Sequence, residues 1–494
     1  MGLHLYDTRR RRVRPFEPLR PGHVGVYVCG PTVQSAPHVG HLRTALPFDL
    51  LRRWLEQSGQ DVTLVQNVTD IDDKIIVNAG RDGTSVWELA TRQTRAFDEA
   101  YRTMGILPPT IQPRATGHIP EMIALIAALI DSGYAYPGQG SVWFRVGRFA
   151  DYGALSHQRP ESMLPSSEAE PGKADPRDFA LWKAARPGEP AWSSPWGVGR
   201  PGWHLECSAM AGKYLGPTFD IHGGGLDLVF PHHENERAQT LCAAGATDEM
   251  ARYWMHVGLL TTGGTKMSKS LGNSVLVADA LEAVRPQVLR YHLLSAHYRS
   301  TLEYTAEALA ESTAAHDRVE TFVRNALDIL GGPGEAAALG ADDGPEPGGR
   351  ERTSSVGSGG RDGACAVSGA RAWADFAAAL DDDLAVGRAL AALFGAVAQG
   401  NQVLSKSHSR ALAGWVNVTR RMLAVLGLDP LEQWPMAGAE LRPALDAVMQ
   451  IVLDLRSAAR SRRDYAEADA IRARLEAAGL TIEDTREGQR WHLA

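Results

Sequence analysis

Two lysines share the pentapeptide Lys266-Met267-Ser268-Lys269-Ser270, in a chain whose 51 basic residues include only seven lysines. A bias that strong would fill an indifferent loop with Arg. Two ammonium groups here point to compact, mobile charges in place of planar forks. Just upstream, Thr261-Thr262-Gly263-Gly264-Thr265 offers two glycines as a hinge. Lysines on a hinge suit a transient clamp on phosphate, whereas a solvated surface loop is the plainer reading of the pentapeptide alone. Far upstream, His38-Val39-Gly40-His41 sets two imidazoles three positions apart, on one face of a helix start. Imidazoles hydrogen-bond phosphate oxygens, the helix N-terminus adds N–H donors and a dipole, and Gly40 lets a ligand approach the backbone closely. Taken alone, the pair could equally cap a helix.

A third group has metal-ligand chemistry. His232 and Glu236, in Pro231-His232-His233-Glu234-Asn235-Glu236, are spaced i, i+4 and project from one helical face. Cys29 and Cys207 could complete a Cys₂HisGlu set, which favours Zn²⁺ over hard cations. Two buried cysteines beside an unrelated helix would read the same from spacing alone. His233 and Glu234 are expected to point elsewhere on the helix, as structural groups or as supports for the ligands, and Cys242 to be a core thiol. Asp70, Asp72 and Asp73 could suggest a second metal, but acids entering a helix N-terminus are stabilising, and that structural role is favoured. The run Arg9 to Arg12 with Arg14 fits either a solvated turn or a nucleic-acid contact.

Placing these residues requires a particular order of elements. Gly25–Cys29 reads as an apolar strand that turns at Gly30-Pro31-Thr32. A helical stripe follows through Leu42, Leu46, Leu50, Leu51 and Leu55, with a kink expected at Pro47. Asp61–Val68 reads as the next strand, which completes a βαβ unit of a doubly wound parallel sheet. Ligands in such sheets sit at the carboxyl ends of the strands, where Cys29 to His41 fall. A helix is expected from Pro231 to Cys242.

At 494 residues the chain needs several cores. No apolar run approaches the ~20 residues of a membrane span, so no membrane partner is expected. The polar, Arg-rich start does not read as a secretory signal. Four scattered cysteines fit a reducing cytoplasm, the expected location. A net charge of −7 argues against indiscriminate nucleic-acid binding but leaves room for local basic faces.

The motifs together resemble the class I aminoacyl-tRNA synthetases, and within them the cysteinyl-tRNA synthetases. The resemblance is carried by Tyr27-Val-Cys-Gly-Pro-Thr-Val33, His38-Val-Gly-His41 and Asn67-Val-Thr-Asp-Ile-Asp-Asp-Lys74. It continues in Gly199-Arg-Pro-Gly-Trp-His-Leu-Glu-Cys-Ser208, Phe219-Asp-Ile-His-Gly-Gly-Gly-Leu-Asp-Leu228, Pro231–Glu236 and Lys266–Asn273. Gln34-Ser35, where the family usually has Tyr-Asp, and Pro47 depart from the pattern. The resemblance implies ATP-dependent activation of L-cysteine to cysteinyl-adenylate, then transfer to the 3′-terminal adenosine of cysteine tRNA. His38, Gly40, His41, Lys266 and Lys269 would serve ATP, with Mg²⁺ accompanying its phosphates. Cys29, Cys207, His232 and Glu236 would hold one Zn²⁺ that selects the substrate thiolate, with Gly30, Thr69 and Trp203 at substrate-binding positions. An apolar pocket separates near-isosteres by only ~10–200-fold, and sulfur is the softer donor for zinc. Four protein ligands normally close a site, so this role implies a fifth position or a loosened Glu236.

The expected organisation is a Rossmann-like α/β catalytic domain over 1–279, with an inserted segment at about 110–200. A helical connecting region follows over 280–330, then a flexible Gly-rich insertion over 331–370. That insertion has 12 Gly and 3 Pro. A helical tRNA-binding domain over 371–440 and an anticodon module over 441–494 complete a chain expected to be a monomer. Arg456, Arg460, Arg462 and Arg463 could contact the anticodon or lie on a solvated face. Three other readings remain: a zinc-dependent cysteine ligase acting on an amino sugar, a zinc hydrolase, and a non-catalytic tRNA-binding paralogue.

Overall fold

The computed structural model describes residues 2–158, 171–244, 249–267, 272–340, 362–404, 410–431, 442–485 and 488–493. The chain divides into two compact units, 1–433 and 434–494. At the centre of the first lie four parallel strands in the order Ala251–Val257, Phe219–Gly225, His23–Val28, Asp61–Gln66. A strand buried on both faces must be apolar nearly throughout, and Val24, Val26, Tyr27 and Val28 are each at most 1% exposed. The chain leaves this central strand to one side, forms Asp61–Gln66, and later returns on the other side as Phe219–Gly225. The reversal makes a crevice at the strands' carboxyl ends.

Helix Val39–Gln57 makes the first crossover. His38 is its extended N-cap, and the His38 N–H donates to His41 Nδ1 at 3.1 Å, the reciprocal half of a capping box. The helix runs unbroken through Pro47, which is buried on its core face. With no N–H, Pro47 forgoes the bond to the Arg43 carbonyl. The inserted segment contains an antiparallel sheet of Ala135–Gly138, Ser141–Phe144, Phe179–Ala184 and Gly199–Pro201. The three acids all have structural partners. Asp72 caps helix Asp73–Asp82, Asp70 accepts the Thr116 N–H and hydroxyl, and Asp73 pairs with Lys183 and Arg200. In the N-terminal hairpin, Arg14 pairs with Asp7 and Arg9 with Glu249, leaving Arg10 to Arg12 exposed on its turn and second strand.

Beyond the lysine pentapeptide come helices Val277–Ala283, Pro286–Ser295 and Ala306–Leu330. Asp362–Asp381, Val386–Val403 and Arg410–Leu426 then pack together, with Leu380, Leu384, Leu390 and Leu393 buried among them. The expected flexible insertion is helical at both ends. Pro333–Gly340 is a helix whose fully buried Ala336 accepts the Asn417 amide at 2.9 Å, and helix Asp362–Asp381 begins inside the insertion's far end. A Pro-led, alanine-rich run is helix-competent once a neighbour covers it. Residues 341–361 lie outside the described residues. The second unit holds helices Arg442–Ser461 and Tyr465–Ala477, then the antiparallel hairpin Leu480–Thr485 with Gly488–Leu493. Arg456 is buried, whereas Arg462 is exposed and pairs with Glu467 at the surface.

Two buried arginines tie the first crossover helix to the rest of its unit. Arg43 donates to the carbonyls of Leu293, His297 and Ser300 at 2.6, 2.7 and 3.0 Å. Burial lowers it only to about 10, so it stays charged. Arg290 pairs with Asp49 and also donates to the carbonyls of Leu426 and Met104. Burial disfavours the Asp49 carboxylate, but Arg290 and Arg53 outweigh it and hold it below the usual range. Breaking a buried pair strands the other charge at about 3–5 kcal/mol. Arg290→Leu is therefore expected to lower the urea midpoint of the first unit by that equivalent. Arg102→Ala, which loses an exposed partner in Glu99, should cost under about 1 kcal/mol in the same titration.

Candidate active site and metal-binding cluster

The loops leaving the central strands stay paired beyond the sheet. Cys29 N–H donates to the Gly223 carbonyl at 2.9 Å, Thr69 N–H to Pro31, and Val33 N–H to Thr69. Cys29 follows the first strand directly and is buried. Gly30 N–H donates to Asn67 Oδ1 at 2.8 Å, and a Cβ at Gly30 would stand 1.6 Å from the Asn67 carbonyl oxygen. Helix Trp203–Leu215 enters the crevice from the insertion and delivers Trp203, His204, Glu206 and Cys207. Its entry depends on Gly202, whose Cβ would meet the Ala180 carbonyl at 2.0 Å.

The helix expected from Pro231 is present: Phe230 is in extended backbone, helical backbone begins at Pro231, and a wide first turn through His233 continues as helix Glu234–Ala244. A proline suits that first position, where its missing N–H would have no partner in any case. The first turn sets His232 Nε2 3.0 Å from Glu236 Oε1. Cys29 Sγ lies 3.7 Å from Cys207 Sγ and 3.4 Å from Glu236 Oε1. One ligand atom from each of Cys29, Cys207, His232 and Glu236 falls within 4.8 Å of the others, all buried.

A second set, Cys29, His222, His233 and Glu236, meets the same limit and shares two members with the first. His233 Nε2 is 3.2 Å from Cys29 Sγ, so His233 faces the cluster, contrary to the sequence expectation. Glu234 does face away, accepting the Ser156 N–H at 2.8 Å. Cys242 is buried in the core and pushed up to about 12 by burial.

The electrostatics distinguish the two thiols. Burial first, and then Cys207, push the Cys29 thiol well up. Burial also opposes ionisation of Cys207, but hydrogen bonds from Cys29 and His232 outweigh it and bring Cys207 down to about 6. His232 is disfavoured as a cation by burial, yet Glu236 and Cys207 lift it to about 10. Glu236 is held well below the usual carboxylate range by His222 and His232 against its burial. Its second oxygen accepts from His222 Nε2 at 2.8 Å. Farther out, His204 contacts His232 at 2.9 Å and His256 contacts His233 at 2.7 Å. Burial lowers both, His256 to about 3, so they are neutral at pH 7.

Trp203 is half-buried and stacks on His232, ring centroids 4.1 Å apart at 20°, so it is not a core aromatic. Thr69 is buried, accepts from Asn67 Nδ2 at 3.2 Å and donates to Glu206 at 3.0 Å. Sequence reasoning gave no role to Asn67, Glu206, His222 or His256. A usable signal existed in histidine density, since five of the chain's sixteen fall between residues 204 and 256.

The His38 and His41 rings lie against each other, centroids 3.7 Å apart and planes tilted by 32°, and a Cβ on Gly40 would press on the His38 ring at 2.9 Å. Val39 N–H donates to Val275, and Val277 N–H to Pro37, both at 3.0 Å. The histidine turn is thereby stitched to the segment just after the lysine pentapeptide. Lys266 lies in strand Thr265–Lys266, whereas Ser268 to Leu271, including Lys269, lie outside the described residues.

Residues 15–314 match the family model of the class I (C) tRNA synthetase catalytic domain, and residues 442–491 that of the cysteinyl-tRNA ligase anticodon binding domain. The fold is also that of Mycobacterium tuberculosis methionyl-tRNA synthetase, solved with methionyl-adenylate. It superposes with a TM-score of 0.59 at 18% identity, over 83% of this chain and 92% of that one. These matches define a class I tRNA synthetase. The cysteine–tRNA ligase of Frankia casuarinae is 79% identical over the full length of both chains, and that of Streptomyces avermitilis 50% identical over 100% of this chain and 99% of its own. The chain belongs to the cysteine–tRNA ligase family, and its activity is that of a cysteine–tRNA ligase. Its substrates are accordingly tRNA, ATP and an amino acid, and the amino-sugar ligase, hydrolase and non-catalytic readings fall. No helix among the described residues is long and apolar enough to cross a membrane.

Gly30→Ala is expected to part the loops at Cys29 and Asn67 and lower amino-acid-dependent ATP–pyrophosphate exchange by about 10²-fold. Gly80→Ala, where a Cβ meets nothing within 4 Å, should leave exchange unchanged.

Proposed function

We propose that the cluster at Cys29, Cys207, His232 and Glu236 binds one zinc ion and selects L-cysteine by its sulfur, and that His38, His41, Lys266 and Lys269 serve ATP. The observation that carries this is the convergence of two thiols, an imidazole and a carboxylate, all buried, at the strands' carboxyl ends. That donor set suits a soft-leaning four-coordinate cation. The reactive charge states also fit, because an ionised Cys207 and Glu236 leave net negative charge in a buried site. A zinc ion held there would supply a Lewis acid with greater affinity for sulfur than for a hydroxyl.

The remaining work belongs to the chain's own groups. The Trp203 indole over His232 would flank the substrate side chain, while Thr69 and the Gly30 turn would meet its polar end. Since His222 holds the outer oxygen of Glu236, a fifth coordination position is a better accommodation of substrate than release of Glu236. In the first step the cysteine carboxylate attacks the α-phosphate of ATP and pyrophosphate leaves. Charge develops on the phosphates, so catalysis is positioning and electrostatic clamping. His38 and His41, at a helix N-terminus, would hold the phosphates from one side and the lysines from the other. The Val39–Val275 and Pro37–Val277 bonds support this pairing of motifs. Mg²⁺ would accompany ATP, coordinated mainly by phosphate and water. The acyl group then passes to the terminal adenosine of cysteine tRNA, with the 442–491 module engaging the anticodon.

Atomic emission of the purified enzyme should find one zinc per chain. Cys207→Ser and His232→Ala should lose it, and Cys242→Ser should keep it. Chelation should abolish cysteine-dependent exchange, with recovery on Zn²⁺ but not Mg²⁺. Full exchange by a zinc-free enzyme would overturn the metal reading.

A further inference from the structure

Glu303 belongs to none of the motifs above. It ends the two-residue strand Leu302–Glu303, which pairs in parallel with Leu260–Thr262, and that strand pairs antiparallel with Thr265–Lys266. In register, Glu303 stands beside Thr261, and Thr261 beside Lys266. The Glu303 carboxylate accepts the Thr261 hydroxyl on Oε2 and the Gly264 N–H on Oε1 at 3.1 Å, and it also takes a bond from the Gly263 N–H. Gly263 and Gly264 have φ of +58° and +72°, the paired left-handed conformation of a tight two-residue hairpin. Untied, two consecutive glycines would be the freest backbone in the loop. At the other end of the hairpin, Met267 N–H donates to the Leu260 carbonyl at 2.9 Å and its side chain is buried. The backbone that carries Lys266 is thus fastened on both sides, by Met267 in the core and by one carboxylate at the glycine tip.

We propose that Glu303 is a positioning residue for cysteine activation: by latching Thr261 and the Gly263–Gly264 turn, it holds in register the backbone strand from which Lys266 serves ATP. This rests on the assignment of Lys266 to ATP made above. Glu303 itself touches no substrate and acts through the hairpin. Its loss frees the two glycines, so Lys266 must be ordered anew in each turnover, which weakens transition-state clamping without disturbing the cysteine pocket.

The test is cysteine-dependent ATP–pyrophosphate exchange by Glu303→Ala, Glu303→Gln, Thr261→Val, Lys266→Ala and the Glu303→Ala/Lys266→Ala double variant, with melting temperatures. Glu303→Ala should lower kcat/KM for ATP about tenfold and leave KM for cysteine within about twofold, with a melting temperature within about 2 °C of wild type. Thr261→Val should act in the same direction, and Glu303→Gln, which keeps an acceptor oxygen, should recover part of the loss. The double variant should be no slower than Lys266→Ala alone. Unchanged kcat/KM for ATP in Glu303→Ala, or losses that multiply in the double variant, would overturn the latch while Lys266→Ala is impaired. A fully active Lys266→Ala would instead remove the ATP role of Lys266, and the latch with it.

Discussion

The hydrogen bond from Cys29 N–H to the Gly223 carbonyl joins the carboxyl ends of two strands that are neighbours in the sheet and remote in the chain. On it depends the crevice. Because the first strand is central, with the second on one side and Phe219–Gly225 on the other, residues from opposite ends of the catalytic unit arrive at one point. Cys29 comes from the first loop, Asn67 and Thr69 from the second, Cys207 from the helix before the third strand, and His232 with Glu236 from the helix after it. The turns at Gly30 and Gly202 are too tight to tolerate a Cβ, which would stand 1.6 Å and 2.0 Å from backbone carbonyl oxygens.

Burying that many ionisable groups together is costly unless each charge has a partner. The cluster meets the requirement in part, by division of charge. Cys29 stays a thiol, Cys207 and Glu236 carry negative charge, and the His232 cation offsets one of the two, which leaves the cluster net negative. His204, His233 and His256, all neutral, surround them as a polar shell that neither adds charge nor leaves ligands unsupported. Such outer partners orient ligands, and the His222–Glu236 contact at 2.8 Å is the most direct instance.

Away from the cluster, the two arginines on the first crossover helix's borders connect chemistry to architecture. Arg43, two residues beyond His41, grips the carbonyls at the end of helix Pro286–Ser295, and Asp49 is paired with Arg290 from within it. The histidine turn is thereby fixed relative to the segment that follows the lysine pentapeptide. A site that works by positioning requires that rigidity.

Much of the site was legible in the chain itself. Lysines were rare enough to make a pair conspicuous, the i, i+4 spacing of His232 and Glu236 placed both on one face, and the strand–turn–helix around Cys29 to His41 located the crevice. The acids at 70–73 were recognisable as helix-entry groups. What failed were predictions that depended on neighbours: the averted His233 and the unstructured character of 333–340. In each case local propensity was outvoted by packing, whose strength comes from contacts remote in sequence.

The residue types and local spacings determined which chemistry this protein could perform: thiols and imidazole for a soft cation, ammonium groups and a helix start for phosphate. Only the tertiary structure decided which copies meet, that His222 and His233 share the cluster, that Thr69 rests on Glu206, and that Glu303 ties the glycine turn. Periodicity reports which face a side chain takes on its own element. Which faces then converge is set by strand order and by the buried hydrogen bonds that hold it.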